Sequence, residues 1–317
     1  MEHNTKNEIV ATMQQYLEQH EMSQATFSTK SGVSQSYLSA MKSGNYTLEN
    51  GVEIKDSYFI KVAAAIGMQV TKGYWPTIAT NEFKLVVAAL VKAYDNTLCN
   101  TIILPTGMGK THGNLQFEIV KPNHNYKVVI HDAMTLRDIV DELCEAMKVQ
   151  VQGTVGYKIR KIIIKTRELK RAGHKVMFRF EECENMNPKT LRAIKGLWDG
   201  VYDGGFASLV LMGTPKLLDM LQKARGRDAA GMPQLYRRLK AGIRVMPVNV
   251  LAGFKLFYEK LGITDKGLQS LLNGLCDNYG ELHDYLEPVL READARGEEV
   301  TEDFFRLYHD LPKLAKR

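Results

Sequence analysis

Between residues 81 and 247 the chain repeats one alternation: a short apolar run, then a longer stretch with apolar residues at helical spacing. The runs at 101–104, 127–131, 176–180, 209–212 and 243–245 read as strands, with amphipathic helices between them. Strands separated by helices cannot pair as hairpins. Each connection has to cross over, which gives a parallel sheet covered by helices. The central region is therefore confined to a layered α/β fold.

The pattern changes on both sides. Residues 1–67 are polar, and Ile9, Met13, Tyr16 and Leu17 stripe a first helix. Ser23 is placed to cap a second helix that runs to Ser31 and stops at Gly32. Ser34 caps a third, over 35–42, with Tyr37, Leu38 and Met41 on its buried side and Gly44 and Asn45 as its stop. A fourth helix over 56–66 closes a small all-α bundle whose centre is a helix-turn-helix. Residues 68–80, with Gly73, Trp75 and Pro76, break the periodicity and read as a linker to the 81–247 core. In 248–317 no strand pattern remains, and helical spacing over 251–261, 267–276, 281–295 and 302–311 predicts a C-terminal helical lid.

Composition excludes several classes. With 44% hydrophobic and 25% charged residues, and no apolar run near the ~20 residues of a membrane span, neither a fibrous nor a transmembrane chain is expected. The first residues lack the apolar segment of a signal peptide, and Cys99, Cys144, Cys183 and Cys276 are widely spaced. A cytoplasmic protein with reduced thiols and no membrane partner is the expectation. The histidines show no metal-ligand spacing, and the net charge of +6 favours a polyanionic partner.

The chemistry-bearing motif is Leu104-Pro-Thr106-Gly107-Met108-Gly109-Lys110-Thr111, between a strand and a helix. Backbone N–H groups of such a loop cradle phosphates, Lys110 neutralises the β and γ oxygens, and Thr111 offers a hydroxyl to Mg2+. Leu104 stands where the usual pattern has its first Gly. About seventy residues on, the run 176–180 ends in Glu181 and Glu182. Glu181 is the candidate for the magnesium shell and Glu182 the candidate to orient or deprotonate attacking water. Arg179 inside this apolar strand is unusual. Thr214, after Gly213, is a candidate γ-phosphate sensor, with a plain strand-to-helix turn at Pro215 as the competing reading. Arg237 and Arg238 are candidates to stabilise a transferring phosphoryl group, one of them across a subunit boundary, against a solvated basic face.

Two regions are candidates for nucleic acid. Lys158, Arg160, Lys161, Lys165, Arg167, Lys170 and Arg171 crowd one helix with Ile159, Ile162, Ile163, Ile164 and Leu169 as its apolar side. Such a basic face binds duplex phosphates with weak sequence preference, although surface helices are often lysine-rich. Gln35, Ser36 and Ser39 hold the positions of a recognition helix, with Lys42 placed for a phosphate; a protein-docking bundle is the alternative.

The order of these parts resembles the AAA+ transposition regulators, the family of the phage Mu B protein. The likeness spans nearly the whole chain and rests most on Leu211-Met-Gly213-Thr214, Leu235-Tyr-Arg-Arg238 and Gly280-Glu-Leu-His283. It implies an α/β AAA+ P-loop ATPase with a parallel sheet, a small N-terminal helix-turn-helix domain and a C-terminal lid. It also implies ATP and Mg2+ as cofactors, Arg238 as the trans-acting arginine, and His283 at the nucleotide, where such lids commonly carry Arg. The function implied is assembly as a homo-oligomer or helical filament on double-stranded DNA, selecting a transposition target and activating a transposase. A phage or transposon gene acting in bacterial cytoplasm would encode it. A helix-turn-helix transcriptional regulator with a nucleotide switch, and a replicative helicase loader, remain open.

Overall fold

The five apolar runs form one parallel sheet in the computed structural model, which describes residues 3–44, 46–47, 53–68, 73–202, 204–226 and 232–312. Asn45 and residues 69–72 of the expected linker lie outside the described residues. The chain divides into two compact units, Met1–Pro76 and Thr77–Arg317.

In the first unit α1 (His3–Gln19), α2 (Gln24–Ser31), α3 (Gln35–Lys42) and α4 (Asp56–Ala65) surround a core of Ile9, Met13, Phe27, Leu38, Met41, Phe59 and Val62. Ser23 caps α2 by accepting from the Thr26 N–H, and Gly32 ends it at φ 66°, where a side chain would be strained. Tyr37 is only partly buried and stacks on Tyr58, with ring centroids 4.4 Å apart.

In the second unit α5 (Asn81–Asn96) precedes β1 (Cys99–Ile103) and α6 (Lys110–Val120). Next come β2 (Asn125–Val129), α7 (Leu136–Ala146), α8 (Val155–Arg171) and β3 (Met177–Glu181), then α9 (Pro188–Leu197) and a π-helical turn at Trp198–Tyr202. The strand β4 (Ser208–Gly213), α10 (Pro215–Gly226), α11 (Met232–Lys240) and β5 (Ile243–Val245) complete the sheet. The strand order is β2-β3-β4-β1-β5, every pairing parallel. Strands β1 and β4 are buried at every residue, as sheets covered on both faces require. After β5 the described residues form only helices: α12 (Val250–Leu261), α13 (Lys266–Leu275), α14 (Tyr279–Arg296) and α15 (Glu302–Tyr308).

A buried carboxylate ties these last helices to the start of the unit. Glu82, in the first turn of α5, is 1% exposed. Its Oε1 accepts from the Asn249 N–H and its Oε2 from the Tyr279 hydroxyl, both at 2.8 Å. Burial, then the bond to Glu82, pushes the Tyr279 phenol up from its ordinary value, keeping it a donor.

Arg179 explains itself in the same way. It is fully buried in β3, donating from Nε to Asn125 Oδ1 at 3.0 Å, from Nη1 to Asn114 Oδ1 at 3.1 Å, and from Nη2 to Glu118. The guanidinium also lies over the Phe117 ring, 5.2 Å from its centroid. One side chain thus locks α6 to β2 and β3. Burial pushes the Glu118 carboxyl up, yet hydrogen bonds from Arg179 and Lys127 outweigh it and hold it below the ordinary value.

We expect Glu118→Ala to destabilise the fold by about 3 kcal/mol, because it leaves a buried guanidinium without its carboxylate, and Arg179→Met to cost less. Urea unfolding midpoints check the order. The Glu118 contribution is complete above the ordinary value of 4.5 and is lost as pH falls through the lower folded value.

Candidate functional site

The register of the sheet aligns three strand ends. Ile103 pairs with Gly213, and Phe180 with Leu211, so the segments leaving β1, β4 and β3 emerge side by side. In open α/β sheets this edge is where ligands bind.

Beyond β1 the chain turns through Gly107 at φ 72° and Gly109 at φ 81°, a left-handed conformation glycine adopts without steric cost. Gly109 precedes α6 without a side-chain cap, so the first N–H groups of the helix keep their donor capacity for an anion. Thr106 and Thr111 are exposed and Met108 is buried. Lys110 Nζ donates to the carbonyls of Leu104 at 2.8 Å and Pro105 at 3.0 Å, which hold its ammonium inside the loop. Burial pushes Lys110 below its ordinary value, while the charges of Glu184 and Glu182 act to raise it.

The lid reaches this loop directly. The Gly280 N–H at the start of α14 donates to the Gly107 carbonyl at 3.1 Å. Asn278 caps α14, its Oδ1 accepting from the Glu281 N–H at 2.9 Å, and a Cβ on Gly107 would lie 2.0 Å from that oxygen. His283, in the next turn, is partly buried, with Nδ1 2.8 Å from Asp284 Oδ1.

Glu181 and Glu182 sit in different surroundings. Glu181 is largely buried, which pushes its carboxyl up against the opposing pull of Arg179 and Lys127. Its Oε1 is buried without a hydrogen-bond partner, 3.7 Å from Arg179 Nη1. A buried carboxylate oxygen without a hydrogen-bond partner has the chemistry a divalent cation takes, so Glu181 fits magnesium, and Thr111 offers an exposed hydroxyl in the first turn of α6. Glu182 is exposed and left-handed at φ 54°, a strained conformation for a non-glycine residue, and its Oε2 lies 3.5 Å from Asn185 Nδ2. Asn185 is itself anchored to the Ile130 carbonyl at 3.0 Å.

Thr214 is partly buried, and its backbone N–H donates to Glu184 Oε2 at 3.2 Å. Pro215 opens α10, so the strand-to-helix turn is present as well. Arg238 of α11 is ion-paired within its own chain to Asp199, while Arg237 is exposed.

Helix α8 is less uniform than its sequence suggests. Lys158 is buried and paired with Asp141, which removes it from any surface open to phosphate. Ile164 is 42% exposed, so it belongs to the outer face rather than the apolar side. Arg160, Arg167, Lys170 and Arg171 are exposed, and Lys161 and Lys165 are partly buried. Lys161 lies over the Tyr157 ring and Arg167 over the Phe206 ring. In the first unit Gln35, Ser36 and Ser39 are exposed and Lys42 is partly buried.

Sequence reasoning missed Glu184, Asn114 and Gln24. Asn114 lies one helical turn beyond Lys110, a spacing that was legible, and is buried with its Oδ1 accepting from Arg179 Nη1 at 3.1 Å. Gln24 Nε2 donates to the Gln35 carbonyl at 3.0 Å and to Ser39 Oγ at 2.8 Å, which joins the two helices of the turn.

No protein-family model matches the sequence, and no curated protein matches it. Solved structures do. The ORC2 protein of Aeropyrum pernix, described as ADPNP–ADP complexes, is 14% identical with a TM-score of 0.52, over 77% of this chain and 74% of that one. The Aeropyrum pernix ORC1 protein in complex with DNA is 13% identical at the same TM-score, over 74% of this chain and 66% of its own. Cdc6p from Pyrobaculum aerophilum is 13% identical, again at 0.52, over 72% and 66%. The likeness shows the fold alone, an α/β core built on a five-stranded parallel sheet as expected.

The loop geometry yields one expectation. Gly107→Ala combines a left-handed φ with a clash against Asn278, whereas Gly109→Ala meets only the φ, worth about 1–2 kcal/mol. Thermal melts should rank Gly107→Ala as the less stable, and limited proteolysis should show its lid helices cut first.

Proposed function

We propose that this chain is an ATP hydrolase that assembles on double-stranded DNA, with ATP and Mg2+ as cofactors. The observation that carries the reading is the convergence, on one sheet edge, of the glycine loop, Lys110, the Thr214 turn and the Glu181–Glu182 pair with its unpartnered Oε1. The description of the Aeropyrum proteins as nucleotide and DNA complexes is consistent with it.

The chain's own groups account for the chemistry. Thr106, Gly107, Met108, Gly109, Lys110 and Thr111 hold the phosphates, Lys110 exchanging the Leu104 and Pro105 carbonyls for phosphate oxygens. Magnesium, when held by Thr111 and Glu181, supplies charge that offsets the phosphates. Glu182 orients water and takes its proton. Thr214 reads the γ-phosphate, and His283 borders the nucleotide from the lid. Arg238 acts on a neighbouring subunit's phosphate after exchanging Asp199 for it. That exchange makes hydrolysis dependent on assembly.

In the second unit the DNA surface is the exposed Arg160, Arg167, Lys170 and Arg171 with the partly buried Lys161 and Lys165; Gln35, Ser36, Ser39 and Lys42 of the first unit form a separate DNA site. The finer reading is a homo-oligomer or filament that selects a transposition target and activates a transposase. Its support is the ordered likeness of motifs described from the sequence. A second reading, a transcriptional regulator that reads an operator, is favoured by the Gln24 bridge to Gln35 and Ser39. Selection from random duplexes separates them: a sharp palindromic consensus favours the regulator, a flat outcome the target selector.

Lys110→Ala should abolish ATP binding and ATP-dependent DNA binding, and Glu182→Gln should bind ATP while turnover falls about 100-fold or more. DNA binding that is equal with and without ATP, and unchanged in Lys110→Ala, overturns the coupling. Replacing Arg160, Arg167 and Arg171 together by Ala should flatten the salt dependence of DNA binding by about 2.7 in log–log slope, read by fluorescence anisotropy.

A further inference from the structure

Glu184 is an acid at the site to which the mechanism above gives no role. It lies in a short 3-10 turn, Cys183–Asn185, directly beyond Glu182, and is partly buried. Its Oε2 accepts the Thr214 backbone N–H at 3.2 Å. A Cβ on Gly213 would lie 2.6 Å from that same oxygen, so residue 213 carries no side chain while the carboxylate occupies this place. From the other side the Gly213 carbonyl accepts the Leu104 N–H at 3.0 Å, at the root of the phosphate-type loop.

The Gly213–Thr214 turn is therefore gripped twice, by the loop and by the segment that carries Glu182. Pro215 has no N–H, so the Thr214 amide is the donor that opens α10, and a carboxylate is the strongest acceptor for it. Resting on the nucleotide reading above, we propose that Glu184 is a positioning residue for ATP hydrolysis. Its carboxylate holds Thr214 at a fixed distance from the loop and from Glu182. Glu184 does not touch the reacting phosphate; it transmits the geometry of the acid segment to the sensor turn.

The test compares Glu184→Ala and Glu184→Gln in the full chain with duplex DNA present, reading mant-ATP affinity and turnover at saturating ATP separately. Glu184→Ala should turn over about 10- to 100-fold more slowly, the penalty of a displaced group, with affinity within about threefold of wild type. Glu184→Gln keeps an acceptor oxygen for Thr214 and should recover to within about threefold of wild type. Gly213→Ala, whose Cβ would lie 2.6 Å from Glu184 Oε2 and 2.8 Å from Leu217 Cδ2, displaces both side chains while retaining the carboxylate and should reproduce the turnover loss even where Glu184→Ala fails to fold. Wild-type turnover in Glu184→Ala or Gly213→Ala, a parallel loss of affinity, or a Gln variant as slow as Ala overturns the proposal alone. A wild-type chain that neither binds mant-ATP nor hydrolyses ATP overturns it together with the nucleotide reading.

Discussion

The pairing of β4 between β1 and β3 is the constraint on which the candidate site depends. Parallel register fixes the height at which each strand ends, so a loop, a turn and an acid pair distant in sequence emerge together. A one-residue slip would exchange the two faces of a strand, and in β1 and β4, buried at every residue, each side chain would then meet the packing shaped for the opposite face. Core packing and site geometry are in this sense one property.

Arg179 shows how far the arrangement is reinforced. A buried cation carries a desolvation cost, and here two amides, a carboxylate and an aromatic face offset it. What that network secures is the orientation of α6 against the edge that carries Glu181. The same arginine stands 3.7 Å from Glu181 Oε1 without hydrogen-bonding it, leaving that oxygen its acceptor capacity.

Local rules made much of this legible. Apolar runs at strand length located all five strands to within about two residues, and Ser23, Gly32 and the 35–42 stripe located the helix-turn-helix because capping and periodicity act over a few residues. Partnerships across the fold were not legible. Lys158 reads as one more cation of a basic helix until Asp141, on the preceding helix, is seen to face it. Ile164 reads as apolar side until the helix is given a rotation, and Arg238 reads as free until the π-helical turn delivers Asp199. Glu184 stood beside a recognised acid pair, but its partner is thirty residues on and is a backbone amide, which leaves no trace in residue type.

Glu82 has a mechanical consequence for the C-terminal helices. Its two oxygens grip Asn249, where those helices begin, and Tyr279, where α14 meets the phosphate-type loop. Parting the C-terminal helices from α5 would therefore leave a carboxyl that is 1% exposed without either of its donors, which attaches a cost to any opening at that seam.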